Sequence, residues 1–222
     1  MAKIKVFFGK EKIDLDLSEI LKDSYNKWGD KEQFLQNLIS EAEIIGLAKK
    51  DTKIVGFSLA KLINTKENIA IGFLATRVMK RMRNQGIGKS LIKKVTKKFI
   101  FKYKIFNLLN WKKSVYLATI TANPIVFATL YKYLNIFPSP KRTEPDKFEL
   151  ELAEKFAKVF SNGKIDRDTF VLEKAFLNSV EYYEKEEDIP WSGDKGIDSF
   201  LEKRLKLKEK KGNGIVVTAK LL

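Results

Sequence analysis

The sequence predicts an α/β fold with a mixed, mostly antiparallel sheet flanked by helices, and three observations support this. Three β-prone segments between residues 43 and 78 are separated by two short polar turns, which is typical of an antiparallel meander. An amphipathic helix over residues 86–104 then leads into an apolar strand over residues 115–120, and such a crossover predicts a parallel pairing of its two strands. Residues 214–222 are apolar and β-branched, which predicts a closing strand.

The elements up to the amphipathic helix follow from their spacing. A strand is predicted over residues 3–8, and helices over residues 17–28 and 34–39, from the alternation and helical spacing of apolar residues. The meander strands are predicted over residues 43–49, 54–63 and 69–78. In the helix that follows, lysines lie mostly opposite an apolar face made of Ile87, Leu91, Ile92, Val95, Phe99 and Tyr103.

The rest of the chain is predicted to be a helical C-terminal elaboration. Pro124 suits the first turn of a helix that runs to about residue 134. Helices are expected over residues 148–160 and 197–207, a strand over 169–172 and a polar loop over 184–195. We expect residues 1–140 to form the core and residues 141–222 to complete the same domain.

The composition excludes several classes of site. The chain contains no cysteine and no histidine, which removes disulfides, the usual zinc ligands, a cysteine nucleophile and a Ser-His-Asp triad. We therefore expect no metal site. No apolar run approaches the roughly 18 residues of a membrane span, and the N-terminus shows no signal peptide, so we expect a cytoplasmic protein with no membrane partner.

The chain is strongly basic, with a formal net charge of +15. Such a charge attracts anions, so nucleic acid or a ribonucleoprotein is one candidate partner. A lysine-rich, solvated surface explains the same charge. Lysines recur between residues 89 and 98 and again between residues 206 and 211.

The segment over residues 78–91 has the features of an anion site. A predicted strand ends, basic residues follow, and Gly86 and Gly88 then open a helix. The first turn of a helix has unpaired N–H groups and a partial positive charge, and glycine lets a phosphate approach that backbone. These features predict a pyrophosphate cradle, to which Arg81, Arg83 and Lys89 add positive charge.

Two other phosphate-binding motifs fit this segment less well. A P-loop needs a glycine five residues before Gly88, where Arg83 stands. The dinucleotide fingerprint needs a third glycine at the position of Leu91.

The spacing Arg83-x-x-Gly86-x-Gly88 resembles the acetyl-CoA signature Arg/Gln-x-x-Gly-x-Gly/Ala of the GNAT superfamily of N-acetyltransferases. In that family the motif follows the fourth strand of a meander, as it does here. Valine often stands five residues before the arginine, and Val78 occupies that position.

Later residues extend the resemblance to about residues 43–137. The family continues with a fifth strand, an asparagine and a helix carrying an Ala-x-x-Leu-Tyr pattern. The strand over residues 115–120, Asn123 and the segment over residues 128–136 are similar to these features. Asn135 departs from the family's glycine at the end of that helix.

The resemblance implies that acetyl-CoA is the acetyl donor and that an amine attacks it directly, with no covalent enzyme intermediate. Tyr131 would protonate the departing thiolate, because a tyrosine with an ordinary pKa of about 10 is protonated at neutral pH. Backbone groups of Thr76 and Val78 would contact the pantetheine arm, and residues 86–89 would bind the pyrophosphate. The implied cofactor-binding residues are Thr76, Arg77, Val78, Arg83, Asn84, Gln85, Gly86, Ile87, Gly88, Lys89, Ser90, Asn123 and Phe127.

Several alternatives stay open at the level of sequence. Asn123 also fits a simple helix N-cap, and Tyr131 also fits a packing role. Residues 69–77 lack the glutamate that many family members use as a general base, so the base is a water, another glutamate or absent. The acceptor is unidentified, the protein is a monomer or a homodimer, and a CoA sensor or nucleic-acid-binding module without catalysis is the alternative function.

Overall fold

The computed structural model describes residues 2–9, 17, 19–20, 32–105, 111–159, 164–176, 186–209 and 211–222. Internal contacts divide the chain into two units, Met1–Val115 and Tyr116–Leu222. The expected division into a core over residues 1–140 and an extension over residues 141–222 stays a prediction. Most of the helix predicted over residues 17–28 lies outside the described residues, although Leu17 and Ile20 are buried.

The first unit contains an antiparallel sheet whose strands pair in chain order. These strands are β1 (Lys3–Phe8), β2 (Ile44–Lys50), β3 (Lys53–Asn64) and β4 (Asn68–Val78). The predicted first strand and the meander are therefore confirmed, as is the short helix α1 (Glu32–Glu41). Asp51 adopts a left-handed φ of 54° in the turn between β2 and β3, a conformation that aspartate tolerates better than most residues.

The amphipathic helix α2 (Ile87–Phe99) packs against β2, β3 and β4. It buries Ile87, Leu91, Val95 and Phe99, as its predicted apolar face requires. Two strand glycines permit this packing at short range. A Cβ atom at Gly46 would lie 2.6 Å from Cγ2 of Val95, and one at Gly56 would lie 3.3 Å from Cδ1 of Leu91.

The helix predicted over residues 86–104 is α-helical only as far as Phe99, and a π-helical turn continues over Ile100–Ile105. In this wider turn the Tyr103 ring contacts the rings of Phe99, at 5.2 Å between centroids, and of Phe8, at 6.1 Å. Nζ of Lys104 donates to the backbone oxygen of Trp111 at 2.6 Å. The contact with Phe8 joins residues far apart in the chain, so the local sequence pattern does not contain it.

Replacing Gly46 with alanine is expected to destabilise the first unit by about 1–3 kcal/mol, the usual cost of overpacking a filled core. The added methyl group would overlap Cγ2 of Val95 and come within 3.4 Å of Cδ2 of Leu91. Urea unfolding measures the effect. The double variant G46A/V95A is the control, because removal of the Val95 methyl groups makes room. If the loss of unfolding free energy in the double variant equalled the sum of the losses in the two single variants, this contact would be contradicted.

The second unit is organised around β8 (Gly214–Lys220), the predicted closing strand, which is confirmed. It pairs antiparallel with β5 (Ser114–Thr121) and with two short strands, β6 (Ile136–Phe137) and β7 (Val171–Leu172). The helices are α3 (Pro124–Tyr133), α4 (Lys147–Ala157) and α5 (Lys195–Leu205). Fully buried aromatic residues fill the core of this unit, namely Phe127, Phe137, Phe156 and Phe170.

The strand predicted over residues 169–172 is shorter than expected, because the chain turns sharply before it. The Asp166 carboxylate accepts hydrogen bonds from the amides of Asp168 and Thr169, and these bonds lower its pKa. Phe170 then adopts a left-handed φ of 60°. Only Val171–Leu172 remains extended enough to pair with β8.

A buried ion pair secures the start of α4. Glu149 is 1% exposed, and its carboxylate accepts from Arg142 Nη1 at 2.8 Å and from the Asp146 amide at 2.9 Å. The Asp146 carboxylate accepts from the Glu149 amide at 2.7 Å, which completes a capping box. Burial, and then the Asp146 carboxylate, raises the pKa of Tyr116 to about 12.

The α/β class with mostly antiparallel strands flanked by helices, and with a helical C-terminal elaboration, is confirmed. The predicted parallel pairing of the strands over residues 69–78 and 115–120 concerns both units and stays a prediction. Within the described ranges, no helix combines the length and the apolar character that a membrane crossing needs.

Candidate functional site

The chain reverses direction between β4 and α2 in a short, defined turn. A 3₁₀ turn over Lys80–Met82 follows β4, and the amide of Arg83 donates to the Lys80 carbonyl at 3.2 Å. Asn84 and Gly86 then adopt left-handed φ angles of 62° and 71°. Asparagine and glycine are the residue types that tolerate this region best, so the local sequence itself favours the turn.

Gly86 leaves the N-terminus of α2 without a side-chain cap. It occupies the N-cap position, and its carbonyl accepts the first intrahelical bond, from the Ser90 amide at 3.0 Å. A glycine has no side chain with which to cap the amides of Ile87 and Gly88, and no other side-chain cap is found among the described residues. These first-turn amides are therefore the kind that helix geometry leaves without an intrahelical partner.

The space around this helix start is open. Apart from its chain neighbours, no described atom lies within 4 Å of the position that a Cβ atom at Gly86 would occupy. A Cβ atom at Gly88 would meet only Cγ2 of Val78, at 3.7 Å. The first turn of α2 contains no acidic residue, so the sequence there does not repel an anion.

Basic side chains surround the turn, and two of them are anchored. Nε of Arg83 donates to the Val78 carbonyl at 3.3 Å, which holds the guanidinium beside the end of β4. Arg81 lies 3.6 Å from a carboxylate oxygen of Glu19. Lys89 is exposed one residue beyond Gly88.

The last residues of β4 are half-buried, and their polar groups have partners. The Thr76 hydroxyl shares a hydrogen bond with the buried Ser58 hydroxyl at 2.9 Å, and the Thr76 carbonyl accepts from Arg77 Nη1 at 3.0 Å. The carbonyls of Thr76 and Val78 therefore both accept guanidinium hydrogen bonds. Each carbonyl oxygen has a second lone pair with which to accept another bond.

The structure places the predicted residues of this unit in three environments. Thr76, Arg77, Val78 and Gly88 are half-buried. Ile87 is buried. The exposed members are Arg83, Asn84, Gln85, Gly86, Lys89 and Ser90.

The predicted residues of the second unit lie on or before α3. The Asn123 side-chain oxygen accepts from the amides of Ile125, at 3.0 Å, and Val126, at 3.2 Å, so Asn123 is an N-cap. Phe127 is fully buried, and its ring centroid lies 5.6 Å from that of Phe200. The roles of both residues in cofactor binding stay predictions.

Tyr131 is half-buried on α3, which differs from the complete burial of a core tyrosine. Among the described residues, its hydroxyl has no hydrogen-bond partner. Tyr133, two residues further on, is 59% exposed. The Lys132 ammonium group lies 5.7 Å from the centroid of the Tyr133 ring.

The sequence of the first unit matches a known family. Residues 15–114 match the family model described as "Acetyltransferase (GNAT) family". This match covers the meander, the basic turn and α2. Residues 15–114 are therefore similar to a GNAT acetyltransferase domain. The match ends just before the second unit, so Asn123, Phe127 and Tyr131 lie outside it.

Solved structures share the GNAT fold at low sequence identity. An IAA acetyltransferase from Bacillus cereus superimposes with a TM-score of 0.52 at 12% identity, over 100% of both chains. This likeness confirms the GNAT-like fold. A Bacillus subtilis acetyltransferase in complex with CoA gives a TM-score of 0.49 at 13% identity, over 99% of this chain and 100% of that chain. A GNAT family acetyltransferase from Elizabethkingia anophelis with acetyl-CoA bound gives 0.45 at 16% identity, over 98% of each. No curated protein sequence matches the chain.

Two supporting features of the first unit were not predicted from the sequence. One is the close seating of α2 over Gly46 and Gly56, which unusual glycines inside β-prone segments signal. The other is the hydroxyl pair of Ser58 and Thr76. This pair depends on the register between β3 and β4, and no local pattern marks it.

Proposed function

We propose that this GNAT-domain protein is an N-acetyltransferase that moves an acetyl group from acetyl-CoA directly to an amine. The observation that carries the proposal is the open, uncapped start of α2 at the left-handed Gly86. It follows a basic turn in a segment that matches the GNAT family. A helix start of this kind suits a diphosphate, because unpaired amides and the helix dipole both favour negative charge.

Different residues of the first unit are proposed to bind different parts of acetyl-CoA. The amides of Ile87, Gly88 and Lys89 would donate to the pyrophosphate, and Asn84, Gln85 and Ser90 border the same turn. Arg83 and Lys89 would add charge-assisted hydrogen bonds, which are stronger than neutral ones. Arg83 starts from a fixed position, because its Nε is bound to the Val78 carbonyl. A smaller ordering cost is therefore expected on binding.

The end of β4 would hold the pantetheine arm. Thr76, Arg77 and Val78 belong to the last part of the strand, and extended backbone pairs with an amide-containing chain as it would with another strand. The bond between Ser58 and Thr76 fixes the Thr76 side chain. Asn123 and Phe127 are also proposed as cofactor-binding residues.

Acetyl transfer requires a proton donor for the departing sulfur of CoA and the loss of one proton from the acceptor amine. The acetyl thioester supplies an acetyl group, so a C–N bond to the acceptor forms while the C–S bond to CoA breaks. Tyr131 is proposed to donate its phenolic proton to the departing sulfur. The protonated amine must lose a proton, and since β4 carries no carboxylate over residues 69–77, a water or a residue outside β4 accepts it.

Thermal-shift titration tests the donor. Acetyl-CoA at 100 times its Kd is expected to add about 2.7 kcal/mol to the free energy of unfolding. S-acetylpantetheine, which lacks the pyrophosphate and the adenosine, is expected to shift the melting temperature far less. Equal shifts with both compounds, or none with acetyl-CoA, would contradict a pyrophosphate cradle at Gly86. Thiol release in the presence of amines then tests turnover, and a chain without cysteine adds no thiol background.

A further inference from the structure

The net charge of the protein comes from one acid-free part of the sequence. The chain contains 43 lysine and arginine residues and 28 aspartate and glutamate residues. Residues 68–143 contain 16 of the basic residues and no acidic residue. The remaining residues therefore hold 27 basic and 28 acidic side chains, so they are almost neutral. The charge is concentrated and is not a uniform solvated surface.

In the first unit, much of this charge lies on the solvent side of α2. We define the lysine face as Lys93, Lys94, Lys97 and Lys98, all of which are exposed. Residues four apart in a helix are neighbours about 6 Å apart along the axis, so Lys93 and Lys97 form one row and Lys94 and Lys98 a second. No acidic side chain of a described residue forms an ion pair with these four lysines.

The position of the lysine face is fixed by contacts with β1. Nζ of Lys94 donates to the Ile4 carbonyl at 2.8 Å, and the Lys102 ammonium lies 4.3 Å from the centroid of the Phe8 ring. The opposite side of α2 is buried against the sheet. The lysines are therefore presented on a rigid helix. A structural role would require carboxylates that compensate their charge, and the ion pairs of the described residues contain none.

Exposed aromatic rings lie at the C-terminal end of the lysine face. Phe101 is 49% exposed and follows Lys97 by four residues. Trp111 is 62% exposed, and its backbone oxygen is bound to Lys104 in the turn that continues α2. Proteins that bind single-stranded nucleic acid combine a basic track for phosphates with aromatic rings on which bases stack. A duplex keeps its bases stacked internally, so it gains less from such rings.

We propose that the lysine face, with Phe101 and Trp111, is a docking surface for a single-stranded nucleic acid. The lysines contact successive phosphates, and the rings receive unpaired bases. The surface lies beyond the residues to which acetyl-CoA binding is assigned, so the inference does not rest on the proposed function. Nucleic-acid binding is therefore expected without acetyl-CoA, and acetyl-CoA binding is expected without nucleic acid.

Fluorescence anisotropy with a labelled 20-nucleotide oligouridylate tests the lysine face. For single strands the logarithm of the affinity falls with the logarithm of the salt concentration by about 0.7 per neutralised phosphate. The variant K93Q/K97Q/K98Q is expected to bind at least tenfold more weakly, with a salt slope smaller by about 2. The matched control K147Q/K158Q/K203Q removes three exposed lysines from the second unit and is expected to bind like the wild type. An equal loss of oligouridylate affinity in the lysine-face variant and in the control variant would overturn the proposal.

Replacement of Trp111 by alanine tests the stacking role. The affinity is expected to fall about tenfold while the salt slope stays unchanged, because no charge is removed. Oligodeoxythymidylate of the same length is expected to bind similarly, since rings and lysines do not read the sugar. Tighter binding of a 20-base-pair duplex, or of phosphatidylserine vesicles, would overturn the assignment to a single strand. An unchanged melting temperature in every variant shows that the first unit remains folded.

Discussion

Aspartate in place of Gly86 is expected to weaken acetyl-CoA binding at least 100-fold. A carboxylate at the N-cap position would lie beside the proposed pyrophosphate site, since the space there is open. Two like charges 4 Å apart repel by about 4 kcal/mol at an effective dielectric constant of 20. Each 1.4 kcal/mol corresponds to a factor of ten in Kd. Isothermal titration calorimetry of the purified variant measures the change.

Asparagine at the same position is the matched control. Asparagine and aspartate have nearly the same shape, and both tolerate the left-handed φ of 71° found at Gly86. The G86N variant is therefore expected to lose only about tenfold or less in affinity, with a melting temperature close to that of G86D. If G86D bound acetyl-CoA as tightly as G86N, negative charge at this helix start would not matter and the pyrophosphate site would lie elsewhere.

Replacement of Tyr131 by phenylalanine is expected to lower kcat about 100- to 1,000-fold. A positioned proton donor typically contributes a factor of 10² to 10⁴ to the rate, and phenylalanine keeps the ring while removing the proton. Because no described residue bonds to the hydroxyl, its removal leaves no partner unsatisfied. The Kd of acetyl-CoA and the melting temperature are therefore expected to stay within a factor of two and a few degrees of the wild type.

Tyr133 supplies the control for this experiment, because it lies two residues away on the same helix and is 59% exposed. The Y133F variant is expected to keep full activity. Steady-state kinetics on the best amine acceptor measures both variants. Equal activity of Y131F and the wild type would remove Tyr131 from the mechanism. An absence of turnover in the wild type, with acetyl-CoA still bound, would indicate a CoA sensor.

Local patterns were sufficient for the three meander strands and for the α-helical part of α2. The β-prone segments and the two polar turns between them predicted β2, β3 and β4, whose central residues are buried in unbroken runs. The 3.6-residue spacing predicted α2, whose buried residues are Ile87, Leu91, Val95 and Phe99. The candidate anion site could also be predicted from the sequence, since its backbone conformation depends on residues adjacent in sequence, with glycine and asparagine at the left-handed positions.

Patterns were insufficient wherever distant contacts compete with local preference. The short strand Ile136–Phe137 forms because β8 offers it an edge, and its own residues would equally suit a helix end. The π-helical turn over Ile100–Ile105 includes Tyr103, whose ring contacts Phe8 at the other end of the unit's sequence. The left-handed φ of Phe170 runs against the preference of a bulky residue. Burial of its ring and the backbone hydrogen bonds that Phe170 makes with Asp166 and Val216 stabilise it.

The sequence by itself determined the meander, the amphipathic helix and the uncapped glycine turn, because each depends on periodicity or on residues within one turn of each other. Only the tertiary structure decided that Phe127 is buried against Phe200 and that Ser58 holds Thr76. It also decided that the lysine face is exposed while Lys94 is bound to β1. The physical reason is that hydrogen-bond partners and burial are properties of neighbours in space, and these neighbours are up to 90 residues apart along the chain.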